Sequence, residues 1–224
     1  MIQSSAAIDY HSARLNMVDS QVRPNKVSDP AILDAMLAVP RERFVPAALR
    51  GIAYVDEDIP LGGGRYLMEP MVLGRLLQAA AIAPGDTVLD LGCGSGYASA
   101  VMARLARHVV ALEEDPALAR QAARLLAELS LPNVALVEGK LAAGCPARAP
   151  YNVILINGAV AAIPPAISGQ LADGGRLVAV VQANSGMGQA VLMSRVDDAV
   201  GQRVVFDAGT PLLPGFAAQP GFVF

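Results

Sequence analysis

One run constrains this chain more than any other. Thr87-Val88-Leu89-Asp90-Leu91 is apolar except for a late carboxylate, and it empties into Gly92-Cys93-Gly94-Ser95-Gly96. The first half reads as a buried strand. The second is a turn whose glycines tolerate positive φ and let the backbone approach a ligand with no Cβ in the way. From residue 86 onward, strands and helices alternate. Helices are expected over 96–107 and 116–129, with strands over 108–113, 133–137 and 151–156. Pro164-Pro165 starts a further helix, expected to end at Gly174-Gly175, and residues 176–181 form the fifth strand. These strands are continuous Val/Leu/Ile runs rather than alternating ones, the pattern of a parallel sheet covered on both faces. Two later runs, 190–196 and 202–206, are joined by a short link and read as antiparallel strands at a sheet edge. The predicted fold is therefore α/β, a doubly wound and mostly parallel sheet.

The first 60 residues have a different texture. Ser28-Asp29-Pro30 caps a helix carrying Ile32, Leu33, Met36 and Leu37, and Pro40 stops it. Leu61-Gly62-Gly63-Gly64-Arg65-Tyr66 reads as a flexible loop, and Pro70 opens a helix running to about Ile82. The expected organisation is a helical N-terminal extension with an acceptor-side loop over 1–69, then a ligand-binding domain over 70–224.

Composition narrows the function. The 224 residues are 54% hydrophobic with a formal net charge of −3, enough to bury a core without staples. No basic stripe with interleaved aromatics argues for nucleic acid. No apolar stretch reaches membrane-spanning length, and the polar N-terminus does not read as a signal peptide. Cys93 and Cys145 make no disulfide framework and no metal-ligand spacing, so the expected setting is reduced and cytoplasmic, with no metal. The oligomeric state is not legible.

Open α/β sheets bind ligands beyond the carboxyl ends of their strands, which places a site at Asp90, Gly92, Cys93, Gly94, Ser95 and Gly96. The dinucleotide fingerprint G-x-G-x-x-G fails, because its sixth position is Tyr97 or Ser99. The D-x-G-x-G-x-G spacing instead resembles motif I of S-adenosylmethionine-dependent methyltransferases, with a Rossmann-like fold. Glu113 ends the second strand, 21 positions after Gly92, where a carboxylate can accept from both ribose hydroxyls; adjacent Glu114 is the surface alternative. The third strand ends in Glu138-Gly139-Lys140, where an adenine contact is expected. Nothing adjacent activates the Cys93 thiol, and His11 and His108 read as solvated or structural.

At this point the chain resembles a family, the protein-L-isoaspartate O-methyltransferases. The likeness runs from Met17-Val18 and Gln21-Val22 through Val39-Pro40-Arg41-Glu42-Arg43-Phe44-Val45-Pro46, Tyr54, Asp58 and Pro60-Leu61. It continues through the stretch from Val88 to Tyr97, Ala149-Pro150-Tyr151, Ile163-Pro164-Pro165 and Gly174-Gly175-Arg176-Leu177-Val178. It implies S-adenosyl-L-methionine as methyl donor, S-adenosyl-L-homocysteine as product, and an isoaspartyl carboxylate of a damaged protein or peptide as acceptor. Three departures fall at functional places. The family's T-I-S-x-P loop is Tyr66-Leu67-Met68-Glu69-Pro70 here, so the serine position is Met68, which offers no hydrogen-bond donor. The family's G-D-G is Gly139-Lys140-Leu141, leaving Glu138 as the nearest carboxylate for the adenine amino group. Asn152 stands where aspartate is usual. The altered loop leaves a second reading open: a divergent relative that methylates another acceptor, or binds the cofactor without turnover.

Overall fold

The computed structural model describes residues 8–183, 186–197 and 199–217. Helices α1 (Tyr10–Met17), α2 (Pro30–Ala38) and α3 (Pro70–Ala80) belong to the N-terminal half, where β1 (Ile59–Gly62) and β2 (Arg65–Leu67) form a small antiparallel hairpin. The main sheet contains β3 (Thr87–Leu91), β4 (His108–Glu113), β5 (Val134–Glu138), β6 (Tyr151–Val160), β7 (Leu171–Val181), β8 (Gln189–Val196) and β9 (Ala199–Asp207). Between them lie α4 (Tyr97–Met102), α5 (Pro116–Glu128) and α6 (Pro165–Ser168).

The seven strands are ordered β5-β4-β3-β6-β7-β8-β9. All pairings from β5 to β7 are parallel, and β8 and β9 add antiparallel strands at one edge. Strand order reverses beside β3, flanked by β4 on one side and β6 on the other, so the glycine turn leaves the sheet at the switch point. Alternate residues of the same strands enter different cores. Val88, Val109, Val153 and Val178 pack against α1 to α4, while Leu89, Val110, Ile154 and Leu177 pack with Ile167, Leu213 and Phe216. Two covered faces explain why the strands read as unbroken apolar runs.

Local chemistry sets the helix starts. Asp29 and Asp115 cap α2 and α5 by accepting from backbone amides, and Pro30 and Pro116 stand in their first turns.

Four boundaries differ from the sequence reading. The helix predicted over 96–107 ends at Met102, because the Asn133 side-chain amide donates to the carbonyls of Ala103 and Ala106 and draws the chain into turns. The helix opened at Pro165 ends at Ser168 rather than Gly174. Gln170 Nε2 takes the Ala166 carbonyl at 2.8 Å while its Oε1 accepts from Cys145 N, and the chain enters β7 at once. Strand β6 continues past Ile156, bending at Gly158 (φ +147°) before pairing again with β7 at Ala159. The glycine-rich segment 61–66 is no flexible loop: Gly62, Gly63 and Gly64 make the positive-φ turn of the β1–β2 hairpin. Composition marks the turn, but only the distant partners of Arg65 decide where it is held.

Candidate functional site

Strand β3 delivers Asp90 to the switch point, fully buried. Its Oδ2 accepts from Ser99 Oγ at 2.5 Å and its Oδ1 from Asn157 Nδ2 at 3.2 Å. Burial pushes its pKa up to about 6, against the lowering effect of those two hydrogen bonds. Asp90 therefore ties the ends of β3, α4 and β6 together. Beyond it, Gly92 turns with φ +81°, and Gly92 N and Cys93 N both donate to the Leu112 carbonyl at the end of β4.

Glu113 closes β4 with its carboxylate fully buried and fully engaged. Oε2 accepts from Gly94 N at 2.7 Å; Oε1 accepts from Glu114 N, Asp115 N and Arg65 Nη1 at 2.9, 3.0 and 2.9 Å. Of the two adjacent carboxylates, Glu113 is the buried one. Glu114 faces outward and pairs with Lys140 Nζ at 2.8 Å, which lowers the Glu114 pKa. Lys140 is thereby committed to Glu114 at the surface, and Glu138 is exposed, while Gly139 N donates to the Glu113 carbonyl at 3.0 Å.

The remaining predicted residues divide. Ser95 Oγ donates to the Phe44 carbonyl at 2.6 Å, fastening the turn to the N-terminal segment. The Cys93 thiol is buried and its pKa is pushed well up by burial and by the carboxylates of Asp90 and Glu113, so it is no nucleophile. Met68 lies in the hydrophobic core beside α3, and its carbonyl accepts from Arg41 Nη2 at 2.8 Å. Tyr66 faces solvent on the hairpin. Glu69 is half-buried, its pKa raised to about 7 by burial and by the nearby carboxylates of Asp58, Asp56 and Glu57. Pro70 starts α3. The structure thus brings Asp90, the glycine turn, Glu113 and Gly139 together, and holds the side chains of Ser95, Met68 and Lys140 elsewhere. Among the described residues, no cluster of three His, Cys, Asp or Glu side chains is arranged to hold a metal ion.

Sequence reasoning missed Arg65, Asn157 and Leu213. Asn157 was findable: it is the polar residue that ends the apolar run 153–156, as Asp90 nearly ends its own. Arg65 sits in β2, only 4% exposed, bonded to Glu113 and, through Nη2, to the Gly92 carbonyl at 2.6 Å. Leu213 reaches in from the C-terminal segment, where a Cβ on Gly158 would come within 2.7 Å of it. No local pattern marks either residue.

Comparison with known proteins places this geometry. Residues 13–207 match the family model for protein-L-isoaspartate(D-aspartate) O-methyltransferase. The protein-L-isoaspartate O-methyltransferase of Methylorubrum extorquens is 44% identical over 176 residues, covering 79% of this chain and 77% of that one. A Rhodopseudomonas palustris relative of the same name, numbered 1, is 38% identical over 197 residues, covering 87% of this chain and 80% of its own. A solved protein-L-isoaspartate O-methyltransferase superposes with a TM-score of 0.79 at 26% identity, over 91% of this chain and 67% of that one. A Plasmodium falciparum structure in complex with S-adenosyl-L-homocysteine shares the fold, with a TM-score of 0.76 at 17% identity, over 92% of this chain and 99% of that one. The chain belongs to the protein-L-isoaspartate(D-aspartate) O-methyltransferase family.

Proposed function

We propose that this protein transfers a methyl group from S-adenosyl-L-methionine to the carboxylate of isoaspartyl residues in damaged proteins or peptides. The observation that carries the reading is the junction of the Gly92 turn with the Glu113 carboxylate at the switch point, in a chain 44% identical to a protein-L-isoaspartate O-methyltransferase.

The donor set suits the cofactor. Glu113 would accept from a ribose diol; Gly94 N of the glycine turn already donates to its carboxylate, and Glu138 stands in register with it at the end of β5. Lys140, held by Glu114, is left out of this assignment. The bound cofactor supplies an electrophilic methyl group on a good leaving group. The acceptor carboxylate is already a sufficient nucleophile, so the protein need only orient the two reactants and exclude water. That removes the need for a loop hydroxyl in bond making and makes the burial of Met68 tolerable. We assign residues 1–69 to the acceptor side and 70–224 to the cofactor side. Both cysteines are free, which suits a cytoplasmic setting, and among the described residues no helix is long and apolar enough to cross a membrane.

The test is product release. Adding an isoaspartyl peptide to the protein and S-adenosyl-L-methionine should liberate S-adenosyl-L-homocysteine one-for-one with methyl ester. No release above the peptide-free control would reject the reading.

A further inference from the structure

The glycine turn is covered from two sides. Leu61 of β1 would lie 3.0 Å from a Cβ at Gly94, and Arg65 Nη2 2.8 Å from one at Gly92. From the other side Leu213, held by its amide on the Ala159 carbonyl at 2.8 Å, would lie 3.4 Å from the same Gly92 position. The two covers meet, with the Pro214 ring 3.4 Å from a Cβ at Gly64. Between them lies a cavity of about 140 Å³ lined by Gly63, Arg65, Glu113, Glu114, Leu141 and Pro214, among others. Pockets for ligands of cofactor size run to about 300–1,000 Å³.

We propose that Arg65 is an internal stand-in for the ribose, a latch that holds the cofactor site closed until its guanidinium leaves Glu113. The inference rests on the reading of Glu113 as the ribose acceptor. Arg65 Nη1 occupies Oε1, the atom that already accepts from two backbone amides, so a diol and a guanidinium compete for one carboxylate. The pairing is incomplete on the arginine side: Nε is buried with no hydrogen-bond partner among the described residues. A latched state satisfying Glu113 but not Arg65 is poised to exchange. The apparent affinity for cofactor is then reduced by the fraction of molecules in which the latch is open.

The experiment is calorimetric titration of S-adenosyl-L-homocysteine into the full chain and into Arg65→Gln. The latch predicts that the variant binds at least tenfold more tightly. Equal or weaker binding by Arg65→Gln, with measurable binding by the unaltered chain, overturns the latch and leaves the proposed function standing. Binding by neither at millimolar ligand overturns both. Should Arg65→Gln fail to fold, hydrogen exchange on the unaltered chain decides. Ligand should lower protection over residues 59–67 while raising it over 92–96; a rise over both segments would overturn the latch.

Discussion

Arg65 Nη1 lies 2.9 Å from Glu113 Oε1, and the two side chains are 4% and 0% exposed. A buried pair of this kind contributes little net stability, but breaking it from one side strands a charge. Glu113→Ala should therefore destabilise the protein by about 3–5 kcal/mol. The double variant Arg65→Ala/Glu113→Ala should lose less than the sum of the single losses. Urea unfolding of the three variants measures this coupling; strictly additive losses would show that the pair does not act as a unit.

Asp90 supplies a pH signature. Its pKa rises from 3.8 unfolded to about 6 folded. Between those values the folded state binds more protons than the unfolded one, so this group's contribution to stability falls as pH rises through that window. The difference corresponds to about 3 kcal/mol at 1.36 kcal/mol per pKa unit. Asp90→Asn removes the ionisation. The unfolding free energy of the unaltered protein minus that of Asp90→Asn should decline by about this amount between about pH 3 and 8, and a flat difference would reject the assignment.

Arg41 is a fully buried cation whose Nε and Nη2 donate to the carbonyls of Ala53 and Met68 at 2.7 and 2.8 Å, with its guanidinium 4.9 Å from the Tyr97 ring centroid. It joins the chain entering α3 to the helix that follows the glycine turn. Arg41→Met leaves both carbonyls unpaired and should cost about 2–4 kcal/mol. A loss below 0.5 kcal/mol in urea unfolding, about the level of an ordinary surface substitution, would show that the carbonyls find other partners.

Restoring serine at position 68 is the natural repair of the altered loop, and on the family resemblance alone it would raise isoaspartyl activity. The burial of the Met68 side chain in the core beside α3 argues for the opposite outcome. Met68→Ser should destabilise the protein by about 2–4 kcal/mol through the cavity it leaves and should not raise the rate of methyl transfer. Thermal unfolding and an initial-rate assay on the same preparation check both halves.

Much of the sheet was legible because its signals are local. Each parallel strand is an apolar run bounded by turn residues, and Asp90, Gly92 and Glu113 fall at strand ends where the topology puts them. What escaped depends on distance in sequence. Arg65 meets Glu113 across 48 residues, and Leu213 meets Gly158 across 55. The burial of Met68 follows from the packing of α3, and the shortened helix after Gly96 from the side chain of Asn133, 30 residues beyond the carbonyl it takes. Periodicity cannot see such contacts. The resemblance to the family names candidate residues for a cofactor site, and Arg65, which bonds to Glu113 and to the Gly92 carbonyl, is not among them.

The reaction proposed for this chain is methyl transfer specific to the isoaspartyl carboxylate. Its most direct test is incorporation of labelled methyl from S-adenosyl-L-methionine into two peptides of identical sequence, one with an isoaspartyl and one with a normal aspartyl linkage. Base-labile label is expected on the isoaspartyl peptide and background on the other. Cofactor binding with no incorporation into either peptide, or equal incorporation into both, would contradict it.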